Sequence, residues 1–130
     1  MSTRTALIGI HDNIVLRLHT RMLTKFGYEV VQATSVDAML EEMQVNGTPN
    51  SSPGNPFDVY IMDVNLGKNN SPDYSPAKRV YGHVQQDVEA GRSKFQSASG
   101  NDNIVHLANQ AGVPCLTRPY EMNDFLKSLR

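Results

Sequence analysis

Several polar side chains in this sequence each follow a short apolar run, and these are His11, Asp12, Asp63, Ser97 and Arg118. Two neighbouring carboxylates repel each other unless a cation lies between them, and Mg²⁺ prefers oxygen ligands of this kind. A hydroxyl group and a fixed positive charge on the other side would suit a phosphoryl group. Asp63 is then a candidate nucleophile that would form an aspartyl phosphate.

Asp63 lies between an apolar run and a polar loop. Residues 59–62, VYIM, have high β-propensity, and a loop rich in Gly, Asn and Pro follows the aspartate. Because a charge is costly inside a core, we expect the strand to emerge at Asp63. An alternative is that Asp63 only caps the loop, and this stretch by itself leaves both interpretations open.

Five apolar runs alternate with five segments of helical periodicity. The predicted strands cover residues 5–10, 28–33, 59–63, 93–98 and 113–117. The predicted helices cover about residues 14–26, 35–43, 75–90, 102–111 and 121–129. This alternation predicts an α/β fold, a single domain over residues 1–130, with a parallel five-stranded sheet between helices. The commonest arrangement of five such units is the flavodoxin-like (βα)₅ three-layer sandwich with strand order 2-1-3-4-5. In it, the carboxyl ends of strands one, three, four and five bring the polar side chains together.

Helix details follow from spacing and capping. The apolar face of the first helix is predicted at Val15, Leu18, Met22 and Phe26. We expect Ser35 and Ser75 to cap the second and third helices, with Pro76 at the first helical position, and Asp102 or Asn103 to cap the fourth. His19, His83 and His106 are predicted to be surface residues.

The composition excludes several classes of protein. The chain of 130 residues has 12 basic and 13 acidic residues and a net charge of −1, so neither nucleic-acid nor membrane binding is indicated. No apolar run reaches transmembrane length. The single cysteine, Cys115, excludes an internal disulfide and suits the cytoplasm. Its thiol is either buried and inert or sensitive to oxidation.

Four short segments resemble a known family. They are IHDN at residues 10–13, YIMDVNL at 60–66, QSA at 96–98 and LTRPY at 116–120. In their order and near their spacing, they resemble the receiver domains of response regulators in bacterial two-component signalling. The resemblance covers essentially the whole chain.

The resemblance implies a role for each matching residue on the metal side. Asp63 matches the phosphoacceptor and Asp12 the acid that binds Mg²⁺ directly. Asn65 would supply a backbone carbonyl to the metal.

On the phosphoryl side, the resemblance implies that Ser97 is the switch hydroxyl, followed by the usual small residue, Ala98. Ser99 is a second candidate for that hydroxyl. Arg118 stands where the family has a lysine before a proline, and the family pattern implies a cis bond between Arg118 and Pro119.

The sequence also departs from the family pattern. The acidic pair of the family is His11-Asp12 here, which removes one negative charge beside the metal, although His11 could act through a water molecule. Arg118 keeps the positive charge, but its planar group needs a different geometry from an ammonium. Residues 66–76 replace the usual turn after the phosphoacceptor. Cys115 occupies the position of an aromatic switch residue.

The resemblance implies a signalling module, not an enzyme. It would receive a phosphoryl group from a sensor histidine kinase or a histidine phosphotransfer protein and change a partner-binding face. Its output would be an attached domain or a docking partner, with a homodimer through helix four, strand five and helix five as a further possibility. The alternatives are a degenerate receiver that binds partners without phosphorylation and a flavodoxin-like phosphohydrolase. The second of these is disfavoured because Asn65 stands where one such family needs a second aspartate.

Overall fold

The structure is a computed structural model that describes residues 4–45, 57–66 and 73–117. Its strands are β1 (Arg4–Gly9), β2 (Tyr28–Ala33), β3 (Val59–Asp63), β4 (Lys94–Ser99) and β5 (Cys115–Thr117). All neighbouring strands are parallel, in the order β2-β1-β3-β4-β5. The flavodoxin-like α/β sheet predicted from the sequence is therefore confirmed.

The described helices are α1 (Asn13–Lys25), α2 (Val36–Val45), α3 (Ser75–Glu89) and α4 (Asp102–Gln110). The hydroxyl of Ser35 accepts the N–H of Ala38 at 3.0 Å and caps α2 as predicted. Gly27 follows α1 with φ of 92°, a conformation that glycine adopts without a steric penalty. Among the described helices, none combines the length and the apolar character needed to cross a membrane. The fifth predicted helix, at about residues 121–129, lies outside the described residues.

The central sheet separates two apolar clusters. Alternate side chains of β1 and β3 point to opposite faces, because successive residues of a strand do so. Leu7, Tyr60 and Met62 belong to the cluster that includes α2, α3 and α4. Ile8 and Ile61 belong to the cluster that includes α1. Every residue of β3 is buried, which fixes the end of this strand, and hence Asp63, within the domain.

The buried face of α1 differs from the prediction. Its buried residues are Leu16, His19 and Leu23, whereas Leu18 and Phe26 are 52% and 55% exposed. The surface assignment of His19 and the placement of Leu18 and Phe26 in the stripe are therefore wrong, whereas Val15 and Met22 pack against the core as predicted. His19 fits the core because its Nδ1 lies 2.8 Å from the carbonyl oxygen of Val15 in the preceding turn, which gives its polar edge a hydrogen-bond partner.

Two helix starts also differ from the predictions. Helix α3 begins at Ser75 itself, and Tyr74 is the capping residue, without a side-chain hydrogen bond. Helix α4 is capped by Asn101, whose Oδ1 accepts from Asn103 and Ile104 at 3.0 and 3.2 Å. In both cases the cap is one or two residues earlier than predicted, because several adjacent polar residues could each serve as a cap.

Candidate functional site

Asp63 is the last residue of β3 and is only 6% exposed. Its Oδ2 accepts a hydrogen bond from the backbone N–H of His11 at 2.7 Å. Since β1 and β3 are adjacent in the sheet, this bond joins the last residue of β3 to the segment that follows β1. A short hydrogen bond from a main-chain donor restricts the orientation of the Asp63 carboxylate.

His11 contributes its main chain, while its side chain is exposed. The contact with Asp63 therefore does not depend on the imidazole. A backbone donor carries no residue-type signal, so sequence reasoning could not have found it. The histidine at position 11 therefore changes only the side-chain charge beside the predicted metal site and leaves the main-chain contact with Asp63 in place.

Asp12 is exposed and caps α1. Its Oδ1 accepts from the backbone N–H groups of Ile14 at 2.8 Å and Val15 at 3.1 Å. The cap brings this carboxylate to the positive end of the helix, beside the segment that contacts Asp63. The structure thus brings Asp12, His11 and Asp63 to the end of the sheet where the carboxyl ends of β1 and β3 lie.

Asn65 lies in a tight turn directly after β3. The turn is anchored on both sides, because the N–H of Val64 donates to the Ala98 carbonyl at 3.0 Å and the carbonyl of Val64 accepts from Ala77 at 3.2 Å. The N–H of Leu66 donates back to the carbonyl of Asp63 at 3.2 Å. These bonds hold Asn65, which is half-buried, two residues beyond the carboxylate.

Ser97 is fully buried, and its hydroxyl donates to the carbonyl of Pro114 at 2.6 Å. In the register of β3 with β4, Ser97 is level with Met62, and Ala98 is level with Asp63. The hydroxyl predicted to act on a phosphoryl group is thus engaged on the β5 side of the sheet in this structure.

Ser99, the second candidate, is half-buried, and its Oγ accepts the N–H of Asn101 at 3.1 Å. This bond connects the end of β4 with the residue that caps α4. Both candidate hydroxyl groups therefore have partners in the protein, Ser97 as a donor and Ser99 as an acceptor.

Cys115 begins β5 and is buried, as one of the two sequence interpretations expected. Its backbone N–H donates to Oδ1 of Asn109 at 3.1 Å, and its carbonyl accepts from Nδ2 of Asn109 at 3.0 Å. Asn109 carried no sequence signal, because an asparagine near a helix end is an ordinary polar residue. Arg118 and Pro119, with the predicted cis bond, lie outside the described residues.

The oxygen donors fit a hard divalent cation. Asp12, Asp63 and the carbonyl of Asn65 would give Mg²⁺ two carboxylates and a carbonyl, a set that leaves room for several water ligands. Within the described ranges, no group of three or more His, Cys, Asp or Glu side chains could hold a metal ion. A site here would therefore depend on the backbone and on water as much as on side chains.

Comparison with known proteins agrees with this geometry. No family model matches the sequence, and no curated protein matches it. A response regulator receiver domain protein from Clostridium thermocellum has 19% identity, with a TM-score of 0.67 over 97% of this chain and 90% of that one. The signal receiver domain of an HD domain-containing protein from Pseudomonas fluorescens has 14% identity, with a TM-score of 0.72 over 100% and 86%. A response regulator from Burkholderia pseudomallei, solved with a phosphorylated aspartic acid, calcium and citrate, has 22% identity, with a TM-score of 0.62 over 98% and 66%.

The chain therefore has the fold of response-regulator receiver domains over nearly its whole length. The proteins from Clostridium thermocellum and Burkholderia pseudomallei are response regulators.

Proposed function

We propose that this chain is a receiver that accepts a phosphoryl group on Asp63 from a histidine kinase or a histidine phosphotransfer protein. A carboxylate oxygen of Asp63 would attack phosphorus as the bond from phosphorus to the donor histidine breaks, which yields an aspartyl phosphate. Bound Mg²⁺ would offset the negative charge that gathers on the carboxylates and the phosphoryl group.

The observation that carries this proposal is the hydrogen bond between the His11 N–H and Asp63. It holds a buried carboxylate at the edge of the sheet where ligands of open α/β folds bind. A fixed nucleophile loses less orientational freedom when the donor arrives. The Asp12 carboxylate, held at the start of α1, is then available as the second acid for the metal.

Phosphorylation would change the partner-binding face, which lies on the β5 side of Asp63. Ser97 would turn its hydroxyl towards the phosphoryl oxygens, and Arg118 would pair with them. Ser97 lies in β4, next to β5, and Arg118 directly follows β5 in the sequence. Both are therefore close in the chain or in the sheet to the face formed by α4, β5 and the last predicted helix. A change there would alter which partner docks, and the proposed output is this altered docking.

Two observations favour a second candidate function. The Ser97 hydroxyl is buried and engaged with Pro114, and the residue beside Asp12 is a histidine instead of an acid. A degenerate receiver, which docks partners in one fixed conformation, would have these features. It would keep the fold without a phosphoryl-dependent change.

The test is an intact-mass measurement after incubation with acetyl phosphate and Mg²⁺, with and without a chelator. The proposal predicts one phosphoryl adduct on the wild type, none on Asp63→Asn, and loss of the adduct with the chelator. An unmodified wild type at high Mg²⁺ would favour the degenerate receiver. An adduct that persists on Asp63→Asn would show that another residue is the acceptor.

A further inference from the structure

One peptide unit at the start of β5 has hydrogen-bond partners at both ends. The carbonyl oxygen of Pro114 accepts from the Ser97 hydroxyl at 2.6 Å and from the Ser97 N–H at 3.1 Å. The N–H of Cys115 belongs to the same peptide unit and donates to Oδ1 of Asn109 at 3.1 Å. Because the peptide is planar and trans, its C=O and N–H point in opposite directions from one rigid group. That group lies between a hydroxyl of β4 and a side chain of α4.

Asn109 connects this peptide unit to its own helix. Its Nδ2 donates to the carbonyl of Cys115 and to the carbonyl of Val105, both at 3.0 Å. Cys115 offers one donor and one acceptor, so the side-chain amide pairs with it much as a neighbouring strand would. Since β5 is the edge strand of the sheet, Asn109 takes the place of a sixth strand at this residue.

The Ser97 hydroxyl has one proton and cannot donate to Pro114 and to a phosphoryl oxygen at the same time. When the hydroxyl turns away, the Pro114 carbonyl keeps the 3.1 Å bond from the Ser97 N–H but loses the shorter 2.6 Å bond from the hydroxyl. Hydrogen bonds at the two ends of an amide polarise each other, and loss of one weakens the other. A turn of the hydroxyl therefore weakens the bond from the Cys115 N–H to Asn109.

We propose that the Pro114–Cys115 peptide unit transmits the orientation of the Ser97 hydroxyl to α4 through the side chain of Asn109. The event that turns the hydroxyl rests on the proposed function, but the connection itself exists without phosphorylation. Asn109 acts as a positioning residue, since its contacts are with the backbone of β5 and α4. The connection uses main-chain groups, so it operates with a cysteine at position 115, where the family pattern has an aromatic side chain.

The connection is tested first on the unphosphorylated protein. Amide hydrogen exchange, followed by NMR, is measured for Cys115 and for the last turn of α4 in the wild type, Ser97→Ala, Asn109→Ala and the double variant. Ser93→Ala is the matched control, because Ser93 is also a buried serine whose hydroxyl donates to a carbonyl, that of Phe57, but at the other end of the sheet.

We expect Ser97→Ala to increase exchange at Cys115 and the last turn of α4 by about three- to tenfold over Ser93→Ala. In the Asn109→Ala background, Ser97→Ala is expected to add nothing to the exchange of α4, since the connection is already absent. Equal exchange in Ser97→Ala and Ser93→Ala, or additive effects of the two substitutions on α4, would overturn the proposal.

A second measurement separates this proposal from the proposed function. The wild type and Asn109→Ala are treated with acetyl phosphate and Mg²⁺, and both the adduct and the exchange of α4 are measured. We expect both proteins to carry the adduct, with a change in α4 exchange only in the wild type. An adduct with the same change in both proteins would contradict the role of Asn109. Absence of an adduct in both would contradict the proposed function, and hydrogen exchange in the unphosphorylated variants would then decide alone whether the connection exists.

Discussion

The backbone N–H of His11 donates to Oδ2 of Asp63 at 2.7 Å and joins the segment after β1 to the last residue of β3. The donor is a main-chain group, so any residue other than proline at position 11 can make this bond. Substitution of His11 therefore changes the charge near the carboxylates without removing the contact that orients Asp63. This separation allows the missing acid of the site to be tested directly.

We predict that His11→Asp together with Arg118→Lys increases Mg²⁺ affinity by about tenfold, because one more negative charge faces the cation. The rate of phosphorylation by acetyl phosphate should rise with it. Calorimetric Mg²⁺ titration and timed intact-mass measurements check both quantities. His83→Asp, on the exposed surface of α3, is the matched control. Unchanged Mg²⁺ affinity in the double variant would show that the missing negative charge at position 11 does not limit Mg²⁺ binding.

Asp12 combines two roles that different substitutions can separate. Asp12→Asn keeps an oxygen that caps α1 but removes the charge, so Mg²⁺ binding should weaken while stability stays within about 0.5 kcal/mol. Asp12→Ala removes both and should lower the free energy of unfolding by about 1 kcal/mol. Denaturant unfolding and Mg²⁺ titration measure the two effects.

Asn101→Ala is the control for the loss of a cap, since Asn101 caps α4 with the same pair of bonds. It should cost a similar free energy and leave Mg²⁺ binding unchanged. Equal Mg²⁺ binding by Asp12→Asn and the wild type would contradict the assignment of Asp12 as a metal ligand.

Much of the fold could be predicted, because buried strands and capped helices have local sequence signals. The run of residues 59–62 predicted β3, and the spacing of apolar residues predicted the helices. Part of the inward face of α1 cannot be predicted, because Leu18 and His19 are adjacent and hydrophobicity favours the leucine. Tertiary packing selected the histidine, whose Nδ1 has a backbone partner in its own helix.

The candidate site was predictable only as a set of residue types. Asp12 and Asp63 could be selected because each follows an apolar run, and parallel strands bring such positions together. The contacts that orient them involve backbone groups of His11, Ile14 and Val15, which have no residue-type signal. The same holds for the bonds of the Pro114–Cys115 peptide unit, where the partner of Ser97 is a carbonyl.

Gly9, the last residue of β1, is closely packed against the side chains of Met39 and Leu66. A Cβ at this residue would overlap with Sδ of Met39 and would lie 2.8 Å from Cδ2 of Leu66, in the turn that follows Asp63. We predict that Gly9→Ala lowers the free energy of unfolding by about 1–3 kcal/mol, since both neighbours are buried. Denaturant unfolding measures the change.

Gly82→Ala provides the control on a helix, because a Cβ there would meet no atom within 4 Å apart from its chain neighbours and the nearby backbone of its own helix. This substitution in α3 should raise the free energy of unfolding by about 0.5–1 kcal/mol. If Gly9→Ala were as stable as the wild type, the close packing of Met39 and Leu66 against β1 would be contradicted.

Tyr60 makes stability depend on alkaline pH. Burial raises the pKa of its hydroxyl well above the ordinary value of 10.0, with smaller contributions from the charges of Asp87 and Asp58, while a hydrogen bond from the Phe57 backbone acts in the opposite direction. The folded state therefore keeps a proton that the unfolded state loses above pH 10. The stabilisation is fully present below that pH and declines as the pH rises towards the folded-state pKa.

We expect the free energy of unfolding to fall less steeply above pH 10 in Tyr60→Phe than in the wild type. Burial also raises the pKa of Tyr81, which is only half-buried, so Tyr81→Phe should have a smaller effect. Urea unfolding between pH 8 and about 11 measures the slopes. Parallel curves for Tyr60→Phe and the wild type would contradict the burial of a neutral Tyr60.

The most direct test of the central claim, that Asp63 is the phosphoryl acceptor, is to reduce the phosphorylated protein with borohydride and map its peptides by mass spectrometry. Borohydride converts an aspartyl phosphate into homoserine and leaves an ordinary carboxylate unchanged, so the modified position is marked by a change of mass. We expect homoserine at position 63 after treatment with acetyl phosphate and Mg²⁺, and none without the phosphodonor. Homoserine at position 12 instead, or no conversion of Asp63 under these conditions, would contradict it.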